Sequence, residues 1–279
     1  MKKGPGEAGK VRREQWGRLR RRGSEAGKEL KEGLLELLYP SNIYCICCGA
    51  SIDDGQPYSL CGECMENIHW AADRVCRGCG RILTPHRTGE LCGVCRERRF
   101  SFERGFSCVQ YGIIEKEMLY RFKYREQAYY GEKLAQLMYE RLWPEEPGPV
   151  AAVPVPMSPR RERQRGYNQA ALLAKGVAAR LGSPFYGDLL VRRRETAPMN
   201  RLGRTDRAEN VADVFALKRG GAELIKGKRI LLVDDILTTG STAEACSRAL
   251  LAEGAGSVWL LTFAAVPDWS DAGVSQVCG

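Results

Sequence analysis

Polar and apolar positions change rhythm twice along the chain. Before Pro40, Leu30, Leu34, Leu35, Leu37 and Leu38 recur at helical spacing and predict a short amphipathic helix over 28–40. Residues 41–98 keep neither a helical nor a strand period, and cysteine and glycine punctuate them instead. From Phe106 onward, short apolar runs alternate with stretches of helical period. Phe106–Tyr111 reads as a strand, Glu115–Tyr124 and Glu132–Leu142 as helices, Val150–Val155 as a strand and Asn168–Leu181 as an Ala/Leu-rich helix. Arg229–Val233, apolar after its first residue, reads as a buried strand, Ser241–Ala252 as a helix ended by Gly254, and Ser257–Ala265 as another buried strand. Continuous apolar strands alternating with helices predict an α/β fold with a mostly parallel sheet.

The 279 residues suit one large domain or two ordinary ones of about 100–200 residues each. With 44% hydrophobic and 28% charged residues the chain is of globular composition, which excludes disorder throughout. The rhythm then divides it into a basic tail over 1–27, expected to be disordered, the helix at 28–40, a cysteine-rich unit at 41–98 and an α/β domain at 105–279. Net charge is +9, but residues 1–33 hold 11 basic and 5 acidic side chains, so the body is only mildly basic. No stretch approaches the ~20 apolar residues of a membrane span, and no apolar signal-peptide run follows Met1 to Lys10. A cytoplasmic protein is expected, and its twelve cysteines favour thiols or metal over disulfides.

Eight of those cysteines form four Cys-x2-Cys pairs: Cys45 and Cys48, Cys61 and Cys64, Cys76 and Cys79, Cys92 and Cys95. The last four repeat the first four at an interval of 31, and Gly49, Leu60 and Gly62 recur as Gly80, Leu91 and Gly93. The segment is therefore an internal duplication, each unit reading as a zinc ribbon. Two thiolates two residues apart can reach one tetrahedral Zn2+ from a tight turn, and four close a structural site with no open position. Units this small fold on their metal, so two Zn2+ are expected. A redox dithiol explains the repeat less well. Sequential, crossed or nested pairing would each give two four-cysteine sites, and Cys47 rivals Cys48 in register. Cys108, Cys246 and Cys278 stand alone, while His69 and His86 are ligands only where a cysteine is displaced.

In parallel sheets ligands bind beyond the carboxyl ends of strands. After Val233 stand Asp234, Asp235, Ile236, Leu237, Thr238, Thr239, Gly240, Ser241 and Thr242. Hydroxyls and a glycine at a helix start offer amide donors, side-chain donors and the positive helix end to a phosphate. The carboxylates suit a sugar diol one ribose length away, so the constellation describes a ribose 5-phosphate.

The thirteen residues Ile230 to Thr242 closely resemble the phosphoribosyl pyrophosphate signature of type I phosphoribosyltransferases. Val153-Pro154-Val155-Pro156, Arg160 and Arg165-Gly166-Tyr167-Asn168-Gln169-Ala170 resemble the ComF family, competence-associated proteins with a zinc ribbon ahead of a phosphoribosyltransferase-like domain. Arg194 and Thr196, followed by Leu202, Arg207, Asn210 and Phe215, extend that likeness, which covers roughly residues 39–265. One departure is Met199, where the family often carries Gln. The resemblance implies a type I phosphoribosyltransferase-like parallel sheet with helices on both faces, preceded by a double zinc ribbon. It assigns the ribose hydroxyls to Asp234 and Asp235 as catalytic residues, and the 5-phosphate to Thr238, Thr239, Gly240, Ser241 and Thr242. By analogy Val155 and Pro156 face the pyrophosphate, with Arg160 and Arg165 near it and Arg207 reaching it from the polar loop Glu195 to Asn210.

Departure of pyrophosphate from an anomeric carbon needs alignment and charge neutralisation rather than a protein nucleophile, and Mg2+ with basic residues would supply the latter. Arg160, Arg161, Arg163 and Arg165 serve that role or form a solvated, nucleic-acid-binding face. The loop Glu195 to Asn210 either closes over the pyrophosphate or is an ordered surface loop. Asn168 and Gln169 cap the next helix or touch substrate. Phe122-Lys123-Tyr124-Arg125 joins aromatic to basic residues, with Phe122 favoured as core. Two functions remain. One is a phosphoribosyltransferase of unknown acceptor, binding phosphoribosyl pyrophosphate or a nucleotide with Mg2+ and acting in competence, DNA uptake and natural transformation. The other is a single-stranded-DNA-binding or adaptor protein, working with competence-machinery proteins, whose phosphoribosyl site is regulatory or inactive.

Overall fold

A computed structural model describes residues 43–53, 55–71, 74–84, 89–124, 127–193 and 214–268. The tail at 1–27, the helix at 28–40 and the loop at 195–210 lie outside the described residues, as do His86 and Cys278. The strands are β1 (Arg104–Gln110), β2 (Val150–Pro154), β3 (Leu190–Arg192), β4 (Phe215–Leu217), β5 (Arg229–Leu237) and β6 (Ser257–Ala265). The helices are α1 (Gly62–Asn67), α2 (Gly93–Glu97), α3 (Ile113–Tyr124), α4 (Gln127–Leu142), α5 (Pro159–Arg165), α6 (Gln169–Leu181), α7 (Gly221–Ile225) and α8 (Ser241–Ala252). Four strands form a parallel sheet in the order β1-β6-β5-β2, while β3 and β4 make a separate antiparallel pair. Among the described residues no helix is long and apolar enough to cross a membrane.

Successive strand residues point to opposite faces, and both faces of this sheet are covered. Leu231, Val233, Leu261 and Phe263 join Leu134 and Met138 of α4 and Leu173 and Val177 of α6 in one core. Ile230, Leu232, Val258 and Leu260 join Ile225 of α7 and Cys246 and Leu250 of α8 in another. This two-sided burial is why β5 and β6 carry unbroken apolar runs.

Two differences from the sequence reading bear on the site. β5 continues past Val233 to Leu237, because its ladder with β6 runs on through Asp234↔Thr262 to Leu237↔Ala265. Backbone pairing is indifferent to side-chain polarity, so the acidic pair stands within the strand rather than after it. Helix α5 had no apolar period to announce it. Its signals are Ser158, whose side chain accepts from the Arg161 amide, Pro159 at the first turn, and Gly166 in the left-handed region at φ 80°.

The duplication is visible in three dimensions. The bridge Tyr44↔Ser51 recurs as Val75↔Ile82, and the hydrogen bond from the Gly49 amide to the Cys45 carbonyl as that from Gly80 to Cys76. Between the ribbons, residues 69–71 lie antiparallel along the outer edge of β1, with bonds from Ala71 N to Cys108 O (2.8 Å) and from Gln110 N to His69 O (2.8 Å). An exposed sheet edge is thereby covered. The second ribbon also approaches β1 at Gly80, at φ 75°, where an added Cβ would stand 2.5 Å from the Gly105 carbonyl oxygen. Only glycine fits there.

Candidate functional site

The carboxyl ends of β2 and β5 open onto a cleft of about 280 Å3. β2 hydrogen-bonds β5 as far as Val155 N to Val233 O (2.8 Å), and beyond that point the chains diverge. Val155, Pro156, Arg161, Arg165, Asp234, Asp235, Thr238 and Thr242 all line the cleft. Arg161 and Arg165 are one helical turn apart, so α5 turns both to the same side. Arg160 is exposed and does not line the cleft, and Arg207 lies outside the described residues. Thr239, Gly240 and Ser241 continue the loop from Thr238 into α8, with Thr239 Oγ1 2.8 Å from Ser241 Oγ and accepting from the Ser241 amide (3.3 Å).

Two local devices hold this arrangement. Asn168 accepts from the Ala170 amide (3.0 Å), capping α6, and donates from Nδ2 to the Val155 carbonyl (3.1 Å), which ties the helix start to the end of β2. Gln169 is buried and accepts from Arg165 Nη1 (2.9 Å). Both residues thus have structural work at the cleft wall. Tyr167 donates to the Phe122 carbonyl (2.6 Å), bringing the end of α3 alongside, and Phe122 itself is wholly buried.

The end of α3 supplies a cleft residue not foreseen as such. Lys123 Nζ stands 2.9 Å from Asp235 Oδ2. Of the arginine run named from sequence, Arg161 joins Arg165 on the lining, and Arg192 is a further basic residue there that the sequence reading did not name. Nothing local marks Lys123 or Arg192 as cleft residues. Burial pushes the Asp234 carboxyl well above the usual carboxylate range and the charge of Asp235 adds to this, while the Asp235 amide and Lys123 only partly offset it. Asp234 Oδ1 accepts from that amide at 2.9 Å.

The cysteines gather sequentially, Cys45, Cys48, Cys61 and Cys64 in one cluster and Cys76, Cys79, Cys92 and Cys95 in the other, each set of sulfurs within 4.8 Å. Cys48 Sγ is 3.8 Å from Cys61 Sγ, and Cys79 Sγ is 3.6 Å from Cys92 Sγ. Tetrahedral Zn2+ with bonds of about 2.3 Å spaces its sulfurs ~3.8 Å apart, so both clusters fit the ion. Amides of Cys61 and Cys92 point at Cys45 Sγ (3.4 Å) and Cys76 Sγ (3.2 Å), as thiolates require. Burial pushes the Cys45 thiol up, but the amides of Cys61, Cys48 and Cys47 outweigh it and hold it at about 7. Cys47 is outside the cluster and is pushed up to about 11, chiefly by burial. His69 instead pairs through Nδ1 with the buried Glu115 (3.3 Å), and Cys108 and Cys246 are core thiols.

Residues 34–96 match the double zinc ribbon domain, and residues 168–270 match the phosphoribosyl transferase domain. Over 206 residues the chain is 30% identical to Competence protein F of Haemophilus influenzae, covering 68% of this chain and 90% of that one. The chain belongs to the ComF family. Competence protein ComFC of Bacillus subtilis is 29% identical over 201 residues, 70% of this chain and 79% of its own. The DNA utilization protein YhgH of Escherichia coli is 26% identical over 221 residues, 72% of this chain and 96% of its own. In this ComF protein the four-cysteine clusters and the parallel sheet thus belong to a double zinc ribbon followed by a phosphoribosyltransferase-like domain.

Proposed function

We propose that this ComF protein binds phosphoribosyl pyrophosphate, or a nucleotide sharing its sugar phosphate, with Mg2+ in the cleft between β2 and β5, and acts in the cytoplasm in DNA uptake and natural transformation. The observation carrying this reading is the convergence on one cleft of the acidic pair of β5, the hydroxyl-rich start of α8 and the Val155–Pro156 turn after β2. The names of the relatives, competence and DNA utilization proteins, support the biological setting.

In this reading Asp234 and Asp235 accept hydrogen bonds from the ribose hydroxyls. The hydroxyls of Thr238 and Thr242, the loop amides and the amino end of α8 hold the 5-phosphate. Arg161 and Arg165 stand where the pyrophosphate would lie and neutralise its charge. The carboxylates also suit Mg2+, which takes one or two protein oxygens together with substrate phosphates and, when bound, offsets negative charge on the leaving pyrophosphate. Calorimetric titration with phosphoribosyl pyrophosphate and Mg2+ tests the site, and a screen of nucleobases for pyrophosphate release tests transfer. Failure to bind overturns the reading.

A second reading is favoured by the exposed Arg160 and by the basic composition of residues 1–33. Here the protein binds single-stranded DNA outside the cleft. Binding should weaken with salt by ~0.7 in log K per phosphate contacted for each unit of log salt. Binding unchanged on removing residues 1–27 and replacing Arg160 and Arg163, the two exposed arginines of α5 that do not line the cleft, would refute it.

A further inference from the structure

The loop Thr238–Gly240 is held from behind by the second zinc ribbon. Arg81 follows the knuckle Cys76–Cys79 directly after Gly80, is 3% exposed, and donates from Nη2 to the Thr238 carbonyl. Arg98 follows α2 and the knuckle Cys92–Cys95, and donates from Nη2 to the Thr239 carbonyl at 2.8 Å. Between those carbonyls and the helix, the segment that leaves the ribbon after Arg98 makes further contacts. Ser101 donates through its amide (2.6 Å) and hydroxyl (2.7 Å) to Glu244 of α8. The Phe100 ring lies where a Cβ on Gly240 would fall, 2.7 Å away.

In a trans peptide the carbonyl and the following N–H point to opposite sides of the chain. Holding the carbonyls of Thr238 and Thr239 toward the ribbon therefore aims the amides of Thr239 and Gly240 away from it. Neither amide donates to a backbone carbonyl among the described residues. Among the described residues no ion pair joins a carboxylate to Arg81 or Arg98. The first ribbon does nothing comparable. The positions thirty-one residues before these arginines are Ala50 and Asn67, and that ribbon docks on α3 and α4 through Arg121 to the Cys48 carbonyl and Tyr58 to Glu140.

We propose that Arg81 and Arg98 are positioning residues for the 5-phosphate, and that the second zinc ribbon is a working part of the sugar-phosphate site rather than an independent module. The inference rests on the cleft reading above and adds that one copy of the duplicated ribbon diverged to pre-aim the phosphate-binding amides. The two arginines act through the backbone and need not touch the ligand.

The test is affinity for two probes, ribose 5-phosphate and inorganic pyrophosphate, measured by calorimetry on the full chain with zinc content checked. Arg98→Ala should weaken ribose 5-phosphate about tenfold and leave pyrophosphate unchanged, because only the former uses the loop. Arg98→Lys should recover part of the loss. Arg96→Ala, which removes the same charge from α2, should change neither. Arg81→Lys should also weaken ribose 5-phosphate selectively, and should it fail to fold the Arg98 series decides alone. Wild-type binding of ribose 5-phosphate that survives unchanged in Arg98→Ala, or an equal loss for both probes, overturns this inference while leaving the cleft reading standing. Wild-type protein that binds neither probe overturns both.

Discussion

Asp234→Asn separates the chemical role of the acidic pair from its cost to the fold. Asp234 lies half-buried in β5 with one oxygen accepting from the Asp235 amide, and in the proposed site its carboxylate also accepts from a ribose hydroxyl. Asparagine keeps the shape and an acceptor for that amide but loses the charge. A hydrogen bond to a charged group contributes ~1.5–3 kcal/mol, and ~1.4 kcal/mol is tenfold in affinity, so phosphoribosyl pyrophosphate should bind roughly ten- to a hundredfold more weakly. Stability should move the other way. Burial and the Asp235 charge raise the Asp234 carboxyl above its unfolded value, so the stability its proton confers is complete below that value and is lost as pH rises through the folded pKa. The wild type suffers this loss and the Asn variant does not, so the variant should melt higher, by a margin that grows as pH rises above the ordinary carboxyl range. Calorimetric affinity at neutral pH and thermal melts from pH 6 to 8, with zinc content checked at each pH, measure both. Unchanged affinity would refute the sugar-binding role, and a variant that melts lower at pH 8 would refute the electrostatic account.

Elemental analysis of folded, reduced protein should give two zinc ions per chain, and chelation should unfold the ribbons before the α/β domain, read as early loss of protection in the cysteine-rich segment by hydrogen exchange. One zinc or none would refute the paired centres. Gly240→Ala should weaken sugar-phosphate binding and lower the melting point, because φ is 83° and the new methyl meets Phe100. A neutral result would mean that the loop tolerates movement there. Phe122→Ala, at a wholly buried position whose carbonyl also accepts from Tyr167, should destabilise by ~3–5 kcal/mol in denaturant unfolding, and a loss below about 1 kcal/mol would contradict its place in the core.

Much of this molecule is written locally. The helix Ser241–Ala252 and the strand Ser257–Ala265 match their sequence reading to the residue, because burial on both faces of a parallel strand leaves an unbroken apolar run and helix ends carry their own stop signals. The repeat at an interval of 31 announced two equivalent units, and the order of acidic, hydroxyl and glycine residues after Val233 marked the candidate site. Spacing alone left the pairing of knuckles open, since several pairings satisfy the same tetrahedral demand, and the path of the chain between them decided it. The length of β5 depended on its ladder with β6. Above all, sequence carries no signal for contacts such as Arg81 to Thr238 and Arg98 to Thr239, 157 and 141 residues apart. Local periodicity reports what a segment buries, but which distant backbone a buried guanidinium meets is set only when the ribbon has docked along β1 and the sheet has closed the distance.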